Sequence, residues 1–258
     1  MTTNFVTVTE VSGDDVTQEQ VDRLARRYYW AADYCRGKDV LEVACGAAQG
    51  VGYLASVTRS VQVGDYSRPL LEIARQHYNG RFKFLQFDAH QLPFADRSFD
   101  IVLICEALYY LADVDRFFLE ARRVLRPGGM LLIVTANKDL FDFNRSPYST
   151  RYLGVVELGD TLGRYGFAPQ FFGDTPVGAT SGRQRVLRPV KAIAARLGLI
   201  PKSMRGKKLL KKLVFGGLVK MPSEITGDTA RRAPVAAVPA GRVNRDHKVI
   251  LCAAALRN

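Results

Sequence analysis

The sequence predicts an α/β fold in which strands and helices alternate around a mostly parallel sheet. Residues 40–43 are apolar apart from Glu42 and lead directly into a turn rich in glycine and alanine. A helical pattern of apolar residues begins immediately afterwards, at Val51. Farther along, residues 99–105 are apolar except for Asp100, which is typical of a central strand buried on both faces.

The other elements follow from capping signals and apolar runs. A capping box at Thr17 and Gln20 predicts the start of a helix that ends near Gly37. Ser67 and Pro69 mark the start of another helix. Further strands are expected at 61–64, 82–87, 130–135, 171–172 and 248–256, and further helices at 114–125 and 157–165.

Composition limits the class of protein. The chain has 258 residues, 47% of them hydrophobic, which suits one large α/β domain with insertions. No apolar stretch reaches the roughly 18 residues of a membrane span, and the N-terminal residues lack the order of a signal peptide. The four cysteines form no Cys-x-x-Cys motif, and the three histidines are widely spaced. We therefore expect a cytoplasmic protein with reduced thiols and no metal site.

Residues 38–54 have the pattern of the first half of a nucleotide-binding βαβ unit. Gly46 and Gly50 would let the backbone approach a ligand closely. Glu42 lies in the strand just before this turn, where a carboxylate would repel a pyrophosphate. It would suit a ligand with cationic groups and no phosphate, such as S-adenosylmethionine.

Other polar residues follow the ends of the predicted strands. Asp65 ends the second strand, 19 residues after Gly46, where an acid can accept hydrogen bonds from a ribose diol. Asp88 follows the third strand, and Glu106 follows the fourth. Ligands of such sheets bind outside the carboxyl ends of the strands, so one site is expected there.

Four segments, in their order along the chain, resemble class I S-adenosylmethionine-dependent methyltransferases of the type 11 kind. They are Arg-Tyr-Tyr-Trp-Ala at 27–31, Glu-Val-Ala-Cys-Gly-Ala-Ala-Gln-Gly at 42–50, Asp-Ala-His-Gln-Leu-Pro-Phe at 88–94 and Leu-Arg-Pro-Gly-Gly at 125–129. Ala48 stands where the family has its middle glycine. The resemblance implies a Rossmann-like seven-stranded sheet of order 3-2-1-4-5-7-6, with strand 7 antiparallel.

The resemblance also implies S-adenosylmethionine as the cofactor. In the family, Arg27 would pair with the cofactor carboxylate, Asp65 with the ribose and Asp88 with the adenine amino group. The alternative for the first segment is an amphipathic helix whose Tyr and Trp are core residues.

The expected cofactor-binding residues are Arg27, Tyr28, Glu42, Ala44, Gly46, Gly50, Asp65, Tyr66, Asp88, Ala89 and Cys105. No general base is obvious; the candidates by position are Glu106, Tyr109 and Tyr110, for which packing at a helix start is the alternative.

The predicted organisation is a single domain of residues 1–258. An N-terminal lid helix occupies 1–37, the Rossmann-like core 38–173, a basic helical insertion and linker 174–246, and the closing strand 247–258. Within the linker, residues 226–245 are rich in Ala, Pro, Gly and Arg and are expected to be a poorly ordered connection.

The net charge of +12 belongs to one segment. Between Thr175 and Ser223 there are 12 bases and no acid, while the remainder carries equal numbers of both. Residues 183–220 are expected to form two amphipathic helices. They would either cover the substrate cleft with a solvated basic face or contact an anionic membrane surface or a phosphate-bearing acceptor. Nucleic acid is disfavoured, because Phe215 is the segment's only aromatic residue.

The expected function is methyl transfer to a small-molecule or sugar acceptor, at oxygen. The basic insertion is similar to that of methyltransferases associated with bacterial surface-polysaccharide biosynthesis, which makes a glycan intermediate one expected acceptor. Two alternatives remain open: a protein that binds S-adenosylmethionine without catalysis, and a nicotinamide-dependent oxidoreductase. The oxidoreductase is disfavoured because the turn lacks Gly-x-Gly-x-x-Gly and carries Glu42.

Overall fold

The computed structural model describes residues 5–179 and 217–257. Within these residues the chain forms five α-helices and ten strands. The helices are α1 (Gln18–Cys35), α2 (Val51–Ala55), α3 (Arg68–Tyr78), α4 (Val114–Val124) and α5 (Val155–Arg164). The strands are β1 (Asp15–Val16), β2 (Asp39–Val43), β3 (Ser60–Asp65), β4 (Phe84–Gln86), β5 (Phe99–Cys105), β6 (Leu125–Ala136), β7 (Phe167–Pro176), β8 (Val219–Lys220), β9 (Ala236–Val238) and β10 (His247–Leu256).

Eight of these strands form one sheet in the order β4-β3-β2-β5-β6-β10-β7-β9. The strands from β4 to β6 run parallel, whereas β10 is antiparallel to both β6 and β7. The seven predicted strands therefore have the predicted order, with the last one inserted antiparallel, and this prediction is confirmed. The carboxyl ends of the parallel strands meet at one edge, where sheets of this kind bind ligands.

The eighth strand, β9, corrects one expectation. It lies in the segment expected to be poorly ordered, yet it pairs antiparallel with residues 171–173 of β7, and Val238 is buried. A three-residue strand is too short for an alternating pattern to stand out in a segment rich in Ala and Pro. The residues before β9 are also held in place, because the Tyr29 hydroxyl donates to the carbonyl of Thr226 at 2.6 Å.

β6 begins at Leu125, before the strand expected at 130–135. Leu125 pairs with Phe99 and Met130 pairs with Ile101, so residues 126–129 lie opposite a single residue of β5. The Arg-Pro-Gly-Gly sequence at 126–129 thus forms a bulge inside the strand. Gly128 has a φ of +72°, a conformation that glycine adopts without strain.

Helices cover both faces of the sheet. α1 begins with the predicted capping box and packs on one face through its buried residues, which share a cluster with Ile101 and Leu103 of β5. α4 and α5 pack on the other face, against a cluster that includes Val102 and Ile104. The residues of β5 thus alternate between two cores, as expected of a strand buried on both faces.

The basic insertion lies largely outside the described residues, and so do the two helices predicted for it. At its C-terminal end, Val219 and Lys220 were expected to be helical but instead form β8, which pairs antiparallel with β1. None of the helices in residues 5–179 and 217–257 is long and apolar enough to cross a membrane.

Candidate functional site

A cavity of about 630 Å³ lies at the carboxyl ends of the parallel strands. This volume is within the range of roughly 300–1,000 Å³ that is common for small-ligand sites. The residues that follow β2, β3, β4 and β5 line it, together with α1 and the N-terminal segment. The sequence-predicted residues on its surface are Arg27, Tyr28, Ala44, Gly46, Asp65, Tyr66, Asp88, Ala89, Cys105, Glu106, Tyr109 and Tyr110.

The glycine-rich turn after β2 is compact and left-handed at several positions. Gly46 has a φ of +59°, and Ala44 and Ala48 have φ values of +58° and +61°. Ala48 therefore keeps the conformation that favours glycine, at some steric cost to its side chain. The Tyr78 hydroxyl of α3 donates to the Ala48 carbonyl at 2.8 Å and so fixes the turn.

Asp65 connects this turn to the end of β3. Its Oδ2 accepts a hydrogen bond from the Gly46 N–H at 2.8 Å, and its Oδ1 accepts one from the Ser67 N–H at 2.7 Å. Ser67 occupies the predicted N-cap of α3, but its side chain makes no capping hydrogen bond. Burial raises the pKa of Asp65, while the N–H groups of Ser67, Gly46 and Tyr66 oppose that rise.

Glu42 and Gly50 are not among the residues that line the cavity. The Tyr28 hydroxyl donates to Glu42 Oε1 at 2.6 Å, and the Tyr28 ring covers Gly50 so closely that an added Cβ would lie 2.1 Å from its Cζ atom. Burial raises the pKa of Glu42 to about 7, although the hydrogen bond from Tyr28 and the charge of Arg27 oppose this rise. Tyr28 from α1 therefore occupies the space beside both Glu42 and Gly50, and their contact with the ligand stays a prediction.

Arg27 brings a positive charge to the cavity. Its Nε atom is buried, and no described residue accepts a hydrogen bond from it. Burial disfavours the charged guanidinium, but the acidic groups of Tyr28, Cys105, Glu106 and Glu42 outweigh this effect and raise its pKa. A buried donor without a partner costs free energy unless a ligand or water satisfies it.

The residues after β5 form a polar and aromatic corner. Glu106 has a φ of +53°, which is unusual for a residue with a side chain. The Tyr109 hydroxyl donates to Glu106 Oε2 at 3.0 Å, and its ring stacks on Tyr152 at 4.3 Å between centroids. Burial and the nearby Glu106 carboxylate raise the pKa of Tyr109, and burial raises that of Cys105.

Sequence reasoning missed the contribution of distant segments to the cavity. Phe5, Thr9, Glu10 and Met221 all line it. Phe5 packs edge-to-face against Tyr110, with ring centroids 5.5 Å apart. These residues belong to no motif, and only the folded chain brings residues 5–10 and Met221 to the same edge of the sheet.

Comparison with known proteins agrees with this geometry. Residues 41–133 match the protein family described as "Methyltransferase domain". The chain is 33% identical over 164 residues to a probable S-adenosylmethionine-dependent methyltransferase of Mycolicibacterium smegmatis, covering 58% of this chain and 63% of that protein. It is 41% identical over 103 residues to a fatty-acid O-methyltransferase of the same species, covering 39% of this chain and 38% of that protein. The chain thus spans less than two thirds of the length of these relatives.

Solved structures share the fold. A methyltransferase of Thermotoga maritima, described as a possible histamine N-methyltransferase, has a TM-score of 0.58 at 17% identity, with 92% of each chain covered. The [4+2]-cyclase SpnF has a TM-score of 0.57 at 18% identity, with 96% of this chain and 87% of that chain covered. The fold alone therefore does not specify methyl transfer. The family match over residues 41–133 and the sequence relatives, however, support a class I S-adenosylmethionine-dependent methyltransferase, with S-adenosylmethionine as its cofactor.

Proposed function

We propose that this protein transfers the methyl group of S-adenosylmethionine to a hydroxyl oxygen of a small-molecule acceptor. The observation that carries the proposal is that Arg27, Asp65 and Asp88 line one cavity. No described residue accepts a hydrogen bond from the buried Nε of Arg27. The charges of these residues match three polar groups of this cofactor. Arg27 would pair with its carboxylate, Asp65 with its ribose diol and Asp88 with its adenine amino group.

When it is bound, S-adenosylmethionine supplies an electrophilic methyl group on a sulfonium. The residues of the chain then have to align the acceptor with that methyl and exclude water. Glu106 is the proposed base, because its carboxylate lies on the cavity and is oriented by the Tyr109 hydroxyl at 3.0 Å. It would accept the proton of the acceptor hydroxyl as the new carbon–oxygen bond forms, while the methyl carbon–sulfur bond breaks and its electron pair leaves with S-adenosylhomocysteine.

The aromatic corner supports an acceptor with an apolar face. Tyr109, Tyr110 and Phe5 line the cavity, and Tyr148 packs near Phe5 with 53% of its surface exposed. Such rings can pack against an alkyl chain or the C–H face of a sugar ring. The fatty-acid O-methyltransferase relative favours the alkyl chain, whereas the basic insertion favours a glycan intermediate with a phosphate group.

Calorimetry with S-adenosylhomocysteine tests the cofactor assignment. We expect Arg27→Met, which keeps the bulk but removes the charge, to lower the affinity at least about tenfold, because a hydrogen bond to a charged group contributes about 1.5–3 kcal/mol. Arg36→Met changes an exposed arginine at the C-cap of α1 and serves as the matched control. Equal affinities of the Arg27 variant and wild type would show that this guanidinium does not hold the cofactor.

Single-turnover kinetics test the proposed base. Transfer of a labelled methyl group is first measured on a panel that contains hydroxy fatty acids and nucleotide sugars, which distinguishes the two acceptor types. On the preferred acceptor, we expect Glu106→Gln to lower the rate about a hundredfold or more with unchanged affinity for S-adenosylhomocysteine. Glu72→Gln, on the exposed face of α3, is the control. A wild-type rate in the Glu106 variant would exclude this carboxylate as the base.

The absence of transfer to any acceptor, together with binding of S-adenosylhomocysteine, would favour the alternative of a cofactor-binding protein without catalysis. A rise in melting temperature with NAD and none with S-adenosylhomocysteine would favour the oxidoreductase.

A further inference from the structure

The turn after β4 contains a histidine that has no role in the reaction proposed above. His90 lines the cavity beside Asp88, and its side chain is 24% exposed. Its backbone N–H donates to Asp88 Oδ1 at 2.9 Å, and its ring Nδ1 lies 2.5 Å from the same oxygen. One carboxylate oxygen is therefore held by two nitrogens of a single residue.

The other ring nitrogen determines the tautomer of His90. The backbone N–H of Asp113 points at His90 Nε2, at a distance of 3.2 Å. A backbone amide can only donate, so Nε2 is the acceptor and the proton of the neutral ring lies on Nδ1. That proton is then donated to Asp88. The Asp113 N–H at the start of α4 therefore determines which ring nitrogen of His90 donates to Asp88.

A second contact fixes the same turn. Arg116, in the first turn of α4, donates from its Nε to the carbonyl of His90 at 3.2 Å. Asp113 is itself fixed as the N-cap of α4, because its Oδ1 accepts from the Arg116 N–H at 2.9 Å. A continuous series of hydrogen bonds thus runs from the N-terminus of α4 through His90 to the Asp88 carboxylate.

We infer that His90 is a positioning residue for nucleobase specificity: it occupies Oδ1 of Asp88 and leaves Oδ2 free to accept a hydrogen bond from the adenine amino group. This inference rests on the proposed function. Within the described residues, Oδ2 accepts no hydrogen bond from the protein. A carboxylate oxygen can accept a hydrogen bond from the amino group of a 6-amino purine. The carbonyl oxygen of a 6-oxo purine has no proton to donate, so the site is expected to bind the amino form more tightly.

The test compares the affinities of S-adenosylhomocysteine and its 6-oxo analogue, S-inosylhomocysteine, by calorimetry. Wild type is expected to prefer the amino form at least about tenfold, as for a hydrogen bond to a charged group. His90→Phe is expected to reduce this preference at least about threefold. His90→Asn is expected to keep it, because an amide N–H replaces the Nδ1 proton. A purely structural role would weaken both ligands equally and leave their ratio unchanged.

His77→Phe is the matched control, because His77 contacts Glu224 at 3.1 Å and does not line the cavity. An unchanged preference in His90→Phe overturns the inference, and so does a wild type that binds both ligands equally. A wild type that binds neither ligand overturns the proposed function as well.

A second measurement observes the His90 ring of wild type directly. Nitrogen NMR of the histidine rings in wild type, with the His90 signals identified from His90→Asn, reports which ring nitrogen carries the proton. We expect the Nδ1–H form for His90. The Nε2–H form would overturn the inference.

Discussion

At the scale of single residues, Glu42 shows how burial changes what an acid can do. It lies in β2 with 1% of its surface exposed, and no described residue donates to its Oε2. Removing a carboxylate from water penalises its charged form. Burial thus raises the pKa of Glu42 to about 7, because it favours the neutral carboxyl over the charged one.

The pKa of Glu42 makes a prediction for stability. A folded-state pKa of about 7, above the ordinary 4.5, means that the folded protein binds more protons than the unfolded chain between these values. The stabilising contribution of the protonated carboxyl is complete below pH 4.5 and is lost as the pH rises through about 7. Relative to Glu42→Gln, we expect the free energy of unfolding of wild type to fall by about 3 kcal/mol over this window. Urea denaturation at several pH values measures it, and parallel pH profiles would contradict the prediction.

The acids of the site differ in how far the sequence can predict them. Asp65, Asp88 and Glu106 follow the ends of parallel strands, and because such ends share one edge, their convergence on one cavity follows from local patterns. The environment of Glu42 depends on Tyr28, which comes from α1 and is 14 residues away. Neither the spacing nor the composition of the strand indicates that contact.

At the scale of elements, the contact between α1 and α2 depends on one glycine. Gly50 is the N-cap of α2 and has a φ of −95°, so glycine is not needed there for backbone conformation. It is needed for space, because the Tyr28 ring lies where a Cβ would be. Gly50, the second glycine of the turn, thus lets α1 approach and lets the Tyr28 hydroxyl reach Glu42.

This packing predicts that Gly50→Ala is destabilising. Either Tyr28 moves and loses its buried hydrogen bond, or the helices separate, and overpacking of this kind costs about 1–3 kcal/mol. Gly163→Ala in α5 is the matched control: no atom lies within 4 Å of its added Cβ, and alanine in a helix is expected to stabilise by about 0.5–1 kcal/mol. Thermal unfolding of both variants tests the prediction, which equal melting temperatures would contradict.

The elements that the sequence predicts well are those with long or strongly marked patterns. The capping box of α1 and the apolar run of β5 are found where expected. The edge strand β9 was not predicted, because its pairing with β7 depends on an edge that exists only after the sheet has formed. The bulge at the start of β6 likewise depends on how β6 pairs with β5, which local sequence patterns do not show.

At the scale of the whole molecule, two distant segments complete the cavity. Residues 5–16 and 217–221 meet as β1 and β8, and the Met221 N–H donates to the Asp14 carbonyl at 2.9 Å. The Gln49 side chain of the glycine-rich turn donates to the Glu10 carbonyl at 3.0 Å. The N-terminal segment is thus attached both to the turn that follows β2 and to the end of the basic insertion.

We therefore expect deletion of residues 1–16 to weaken cofactor binding without unfolding the sheet. None of the eight strands of the large sheet is removed, so the m-value of urea unfolding should change little. The cavity loses Phe5, Thr9 and Glu10, and Met221 loses its main-chain partners. At about 1 kcal/mol for each lost contact, the affinity for S-adenosylhomocysteine should fall at least about fivefold. Deletion of residues 1–4, which leaves every described lining residue in place, is the control. Wild-type affinity in the longer deletion would show that the N-terminal segment takes no part in binding, and loss of the folded signal in circular dichroism would show that it belongs to the core.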